Sequence, residues 1–337
     1  MITIHKDSKI YLMCPPNFAT GGPELIHQLA YKLKQLGMSA VMFYYPLTDS
    51  NPVHPNYVVY DPVFSTTIHD HEHNILILPE VLVGVVNDMH TLKHIRKYIW
   101  WLSVDNFFAP LWGREKTGFL ATLLGRERRR YARFFSESVP GKGYAGHLVQ
   151  SHYAKVFLKL KGISAVYLSD YLNNKFVARM SELREAAKQD IVLYNPKKGL
   201  AFTKLLMTAA PDIQWLPLID LSQDQVSELL LAAKVYVDFG EHPGKDRFPR
   251  EAAILGCCIV TGKRGAAQYD EDLNIPAEYR IEDKTGNIKK IVTLIKACLA
   301  DYDLRSGDFE VYKNAIQGEE AQFDHAVKSI FQKENAS

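Results

Sequence analysis

One loop concentrates more chemistry than any other stretch of this chain. It reads Gly240-Glu-His-Pro-Gly-Lys-Asp-Arg-Phe-Pro-Arg-Glu251 and follows an apolar run at 235–239. The run predicts a strand, and the residues after 250 predict a helix. A helix N-terminus carries free N–H groups and partial positive charge, so it attracts anions. Lys245, Arg247 and Arg250 add full charges, and arginine can grip phosphate through two parallel hydrogen bonds. Gly244 allows close backbone approach. With His242, Asp246 and Glu251 beside them, these residues make a candidate diphosphate cradle. The competing reading is a solvated loop whose cations pair with Glu241, Asp246 and Glu251. Two features favour the cradle: the position after a strand, and stiffening by Pro243 and Pro249.

Two more loops have the same setting. Lys197-Lys198-Gly199 lies between a predicted strand and helix, and Gly262-Lys-Arg-Gly265-Ala follows the next strand. Strands of a parallel sheet deliver such loops to one edge, where ligands bind. A third cluster, Trp100-Trp101-Leu-Ser-Val-Asp105-Asn106, ends a predicted strand at 98–104. Trp101 could stack on a ligand ring and Asn106 could hydrogen-bond the same ligand. Asp105 is the candidate polar group beside it, and with Lys245 and Arg247 it forms the candidate catalytic set. A core strand followed by an Asp-Asn turn explains the same residues.

His69-Asp-His-Glu-His73 would share one face if extended. It reads as a polar connection to the next strand, with a metal site as the minor alternative. His90 and His94 have helical spacing but no acidic catalytic partner between them. No metal or other cofactor is expected.

The elements that must position these groups follow from length and pattern. The 337 residues suit two domains. A net charge of +2 gives no global field for nucleic acid. Apolar runs at 9–14, 39–45, 74–79, 98–104, 147–151 and 165–169 alternate with helical patterns, as do later runs at 190–194, 213–218, 235–239 and 257–261. That alternation predicts parallel sheets covered by helices. Ser222 and Gln225 form a capping-box pattern. The boundaries read as a first domain over 1–170, a linker over 171–189, a second domain over 190–320 and a tail or helix over 321–337. Cys14, Cys257, Cys258 and Cys298 lack metal-ligand spacing and are expected as buried thiols. The N-terminus lacks a signal-peptide pattern and no stretch is long and apolar enough to span a bilayer. A cytoplasmic protein is expected.

The second half resembles the donor domain of GT-B glycosyltransferases, especially the large retaining family that includes sucrose synthase. The resemblance rests on Lys198-Gly199, on Arg250-Glu251-Ala-Ala as a helix start, on Gly256 before a buried strand, and on Gly265-Ala266. Near the N-terminus, Gly21-Gly22-Pro-Glu resembles the family's Gly-Gly loop. The resemblance implies an α/β GT-B fold, with two Rossmann-like parallel-sheet domains facing across a cleft. It implies that Glu251 holds the donor ribose, that Lys198 meets the diphosphate, and that Gly21, Gly22, Lys198, Gly199, His242, Gly244, Asp246, Arg250, Glu251 and Gly265 line the donor site. It further implies metal-free chemistry with retention of configuration. The chain departs from the family pattern at Pro243, which stands where the first of two paired glutamates belongs; Glu241 and His242 are out of register.

The expected function is sugar transfer from a nucleotide-sugar to a glycan or lipid-linked acceptor in bacterial-type polysaccharide assembly. The other reading is a non-catalytic GT-B-like binding subunit of such a system. The basic run Arg126–Arg133 could add peripheral contact with the inner membrane face, or form a solvated helix face.

Overall fold

The computed structural model describes residues 1–47, 49–108, 134–135 and 143–334. The basic run at 126–133 lies outside the described residues. Two compact units are present, Met1–Asp170 with Ala321–Ser337, and Tyr171–Glu320.

The first unit holds β1 (Ile2–Ile4), β2 (Lys9–Cys14), β3 (Ser39–Tyr44), β4 (Ile75–Pro79), β5 (Arg96–Trp101), β6 (Gly146–Val149) and β7 (Val166–Tyr167). Strands β2 to β7 form a six-stranded parallel sheet in the order β3-β2-β4-β5-β6-β7. A parallel sheet covered on both faces needs strands that are apolar throughout. β4 meets that demand, since every one of its five residues is buried. Fully burying each Ile or Leu there contributes about 1.5–3 kcal/mol.

Helix α1 (Gly21–Gln35) follows β2 and buries Leu25, Leu29 and Leu33 at helical spacing. Thr20 is its extended N-cap, and Pro23 stands third in the helix. Proline fits there because first-turn N–H groups have no partner within the helix. Gly37 ends the helix at φ +67°, in the left-handed region. Two further helices of this unit, α2 (Val104–Phe107) and α3 (His152–Leu160), follow β5 and β6.

The second unit holds β8 (Gln189–Tyr194), β9 (Gln214–Pro217), β10 (Ala233–Asp238) and β11 (Cys258–Thr261), a parallel sheet ordered β11-β10-β8-β9. Its helices include α4 (Leu200–Ala209), α5 (Gln223–Ala232), α6 (Arg247–Ile254) and α7 (Ile288–Ala300). Ser222 and Gln225 make both halves of the capping box that opens α5.

Two boundaries differ from expectation. The segment 321–337 holds a helix, as read, but joins the first unit instead of standing apart from it. Helix α8 (Glu319–Ile330) leads into a strand, Phe331–Lys333, that pairs with β1 in parallel. The segment 171–189 is part of the second unit rather than a linker, because Leu172 and Phe176 are buried in that unit's core. The four cysteines are buried and free of disulfides. Residues 69–73 are no strand: they run into a turn at Glu72-His73 just before β4. His90 and His94 lie in the connection to β5, not on a helix. Among the described residues, no helix is long and apolar enough to cross a membrane.

Candidate functional site

The carboxyl ends of β8, β10 and β11 share one sheet edge, and the three loops that leave them pack against one another. Asn195 starts the first. Its Oδ1 accepts from Lys197 N at 3.0 Å, a side-chain turn that folds the chain back. Gly199 follows at φ +59°. A Cβ there would sit 2.4 Å from the Phe239 carbonyl carbon, and a Cβ at Gly240 would sit 2.2 Å from Lys198 Cβ. Only glycine allows the two backbones to meet this closely. Gly265, at φ +56°, repeats the device: its Cβ would lie 2.0 Å from His242 O, while Ala266 N donates to that oxygen at 2.8 Å. Gly199→Ala is therefore expected to cost about 2–3 kcal/mol, from left-handed strain and overlap with backbone that cannot yield. Urea unfolding beside Gly286→Ala checks this, since a Cβ at Gly286 meets nothing within 4 Å. Equal midpoints for the two variants would refute the close-packing argument.

The charges in these loops are arranged in pairs. Lys198 Nζ lies 2.5 Å from Asp246 Oδ2 and ties the first loop to the second. His242 is buried between two carboxylates, with Nδ1 3.0 Å from Asp246 Oδ2 and Nε2 3.7 Å from Asp238 Oδ1. Burial works against charge on His242, yet Asp238 and Asp246 carry the net shift upward. Burial likewise opposes the Asp246 carboxylate, but Lys198 and His242 overcome it and hold it down at about 2. Lys198 is shifted upward against burial by Asp246 and Asp238. The result is a compact network of fixed charge. Asp238, His242 and Asp246 also place ligand atoms within 4.8 Å of one another. Lys198 faces Asp246, and His242 stands between both carboxylates, so positive groups of the chain already sit against them.

Arg247 and Glu251 face each other one helical turn apart, Nη2 to Oε1 at 3.1 Å. This pairing is what the solvated-loop reading anticipates in kind, but here it is largely buried. Lys245 and Arg250 do something the sequence did not disclose. Lys245 Nζ lies 2.7 Å from Glu319 Oε1, and Arg250 Nη1 lies 2.8 Å from Glu319 Oε2. Arg250 is wholly buried. Its Nε and Nη2 also donate to the carbonyls of Asp246 and Lys245 at 3.2 Å. Arg250 is thus a brace that shapes the loop from behind, not an arginine open to phosphate. Its distant partner Glu319 carried no sequence signal, being a glutamate among others near a helix start. Glu241 Oε1 accepts from Arg264 at 2.6 Å and is 60% exposed, so it does not replace the missing first glutamate inside the network.

Helices α4 and α6 both begin at this edge, with Gly199 and Asp246 as N-caps. Neither N-cap makes a side-chain capping hydrogen bond. Gly244 lies within the same loop, so Lys198, Gly199, His242, Gly244, Asp246, Glu251 and Gly265 lie in or beside the loops that leave this edge.

In the first unit, Gly21 and Gly22 form the first turn of α1, again without a side-chain cap at Thr20. A Cβ at Gly22 would meet Leu102 Cδ1 at an ordinary 3.6 Å, so packing among the described residues does not demand glycine there. Trp101 corrects an expectation. It is fully buried in an aromatic cluster with Phe107 and Phe157, and its Nε1 donates to His147 at 3.1 Å. The end of a central strand must feed the core, so this ring cannot stack on a ligand. Strand β5 stops at Trp101, and Asp105 and Asn106 lie in α2 rather than at a strand end. Asp105 Oδ1 accepts from Tyr153 OH at 3.0 Å, and Asn106 is exposed.

A residue that sequence reading passed over stands nearby. Glu80 directly follows the buried β4 and is itself buried. Its Oε2 accepts from Leu102 N at 2.8 Å, so it supports the turn that leads to Asp105. Burial pushes its carboxyl up to about 8, against the backbone hydrogen bonds from Leu102 and Ser103. A glutamate closing the run Ile-Leu-Ile-Leu-Pro-Glu was the available signal.

The fold matches solved structures along nearly its whole length. Sucrose-phosphate synthase from Thermosynechococcus elongatus superposes with a TM-score of 0.68 at 13% identity, covering 96% of this chain and 98% of that one. HepE of Anabaena, in complex with UDP and glucose, gives 0.62 at 10% identity, with 95% and 98% covered. WaaG, a glycosyltransferase involved in lipopolysaccharide biosynthesis, gives 0.55 at 12% identity, with 95% and 99% covered. No protein-family model matches the sequence, and no curated protein matches it either. The chain has the α/β fold of GT-B glycosyltransferases, with two Rossmann-like units and sequences far diverged from those structures.

Proposed function

We propose that this protein is a glycosyltransferase that moves a sugar from a nucleotide-sugar donor to a glycan or lipid-linked acceptor in polysaccharide assembly. One observation carries the reading: two helices open without side-chain caps at one sheet edge, beside Lys198 and Arg247. Breaking the bond between the anomeric carbon and the diphosphate oxygen leaves growing negative charge on that oxygen. Fixed N–H groups and cations aimed at the charge lower the barrier without reorganising. Lys198 and the starts of α4 and α6 would supply this, with no metal required. Glu251 would hold the ribose, while Arg247 sets its orientation. Gly21 and Gly22 would let the α1 N-terminus approach the donor, and Asp105 and Asn106 would meet the acceptor. Retention of configuration, a cytoplasmic location and peripheral contact with the inner membrane face complete the proposal.

Titration with UDP, GDP and ADP tests it, beginning with UDP because HepE is described with that ligand. One nucleotide is expected to bind. Lys198→Ala is expected to weaken it about tenfold or more, the worth of a charged hydrogen bond. Undiminished binding in a folded Lys198→Ala variant would refute the assignment of the diphosphate site.

A specific observation supports a second reading, a non-catalytic binding subunit. Lys198, Lys245, Arg247 and Arg250 each face a carboxylate, and Pro243 stands where the first glutamate of the pattern belongs. A diphosphate would have to compete with Asp246 for Lys198. Failure of all three nucleotides to bind would favour this reading.

A further inference from the structure

The first unit carries a histidine cluster that the proposed donor and acceptor sites do not use. Three segments meet there: the turn after β1, the turn before β4, and the chain leaving the strand Phe331–Lys333. Asp7, His71 and His73 place one ligand atom each so that all three lie within 4.8 Å of one another. His73 Nδ1 is 2.8 Å from Asp7 Oδ1. The His5 ring stacks on the His73 ring, with centroids 4.1 Å apart, and His5 Nδ1 is 2.8 Å from Glu334 Oε2.

The turn bearing these histidines is held from several sides. The Asp70 carboxylate accepts from the backbone N–H groups of Lys93, His94 and Ile95 at 3.0, 2.9 and 2.9 Å. Asn74 bridges Lys9 N and His69 O at 2.8 and 2.9 Å. The carbonyl of His73 accepts from both Ser8 Oγ, at 2.7 Å, and Arg96 Nη2, at 2.8 Å. The histidines are half-buried and Asp7 is exposed, so an ion can reach them. A turn held this firmly fixes the backbone from which His71 and His73 project, which a metal site needs and a solvated polar turn lacks.

We propose that Asp7, His71 and His73 bind a first-row divalent transition-metal ion such as Zn²⁺. Two imidazoles and a carboxylate match the ligand preference of zinc, nickel or cobalt rather than of calcium or magnesium. At bond lengths of about 2.0–2.2 Å, neighbouring ligand atoms stand about 3.4 Å apart, so the site closes with a shift of little more than an ångström. His5, packed on the His73 ring and held by Glu334, positions that ring and links the site to the C-terminal segment.

The test is calorimetric titration of the full chain, without an affinity tag, with zinc chloride. One equivalent is expected to bind. The His71→Ala/His73→Ala variant is expected to bind at least about tenfold more weakly. Asp7→Asn should also weaken binding, while His90→Ala/His94→Ala should leave it unchanged. Absence of saturable zinc binding, its survival in the His71→Ala/His73→Ala variant, or its equal loss in the His90→Ala/His94→Ala variant would overturn the proposal. Unfolding midpoints of each variant without metal separate ligand loss from misfolding.

Discussion

Glu319→Ala is expected to destabilise the second unit by about 3–5 kcal/mol, the usual cost of removing one partner from a buried ion pair. The carboxylate faces two cations, Lys245 at 2.7 Å and Arg250 at 2.8 Å, and Arg250 has no exposure to water. Removing Glu319 leaves a desolvated guanidinium without that countercharge. Removing both charges is different, because the desolvation cost disappears with them. Arg250→Met/Glu319→Leu is therefore expected to recover more than half of the loss. Urea unfolding of the three proteins reads this directly. A loss below about 1 kcal/mol in Glu319→Ala would mean that the pair behaves as an exposed one. Nucleotide titration adds a second readout. If Arg250 shapes the loop from behind, the double variant keeps its fold but binds nucleotide less well, because the carbonyls of Lys245 and Asp246 lose their donors.

Glu80 sets the second large effect, on stability against pH. Its folded carboxyl titrates at about 8, whereas an unfolded one titrates near 4.5. Between those values the folded state holds a proton that the unfolded state has released. The contribution is thus fully present below about pH 4.5 and is lost as pH rises through about 8. The slope is about 1.4 kcal/mol per pH unit, so several kcal/mol are at stake across the window. Glu80→Gln keeps an oxygen for Leu102 N and has no charge to titrate. Its stability relative to the parent should therefore rise with pH across this range. Unfolding midpoints at pH 5.5, 6.5 and 7.5 test the point; a constant difference between the two proteins would show that Glu80 is charged throughout.

The strands of the two larger sheets, β2 to β11, were legible because each falls in a short apolar run between turn formers. Runs such as Ile75 to Leu78 can only sit in a sheet covered on both faces. The loop at 240–251 was legible because its glycine, prolines and cations lie next to one another in the chain. Trp101 misled for a local reason. An aromatic at a strand end can point to ligand or to core, and only the neighbours Phe107, Phe157 and His147 decide. The strand Phe331–Lys333 went unread because three residues of ordinary composition gain strand character only from pairing with β1.

The sequence alone determined the local make-up of the loop at 242–251: its position after a strand, its glycine and prolines, and cations set beside carboxylates in one short stretch. Tertiary structure alone decided what each charge faces. Glu319 is 69 residues from Arg250, and Asp246 is 48 residues from Lys198. Periodicity reports which side of an element is buried, but electrostatic pairing depends on distance in space. That distance exists only once β8, β10 and the start of α8 are packed together.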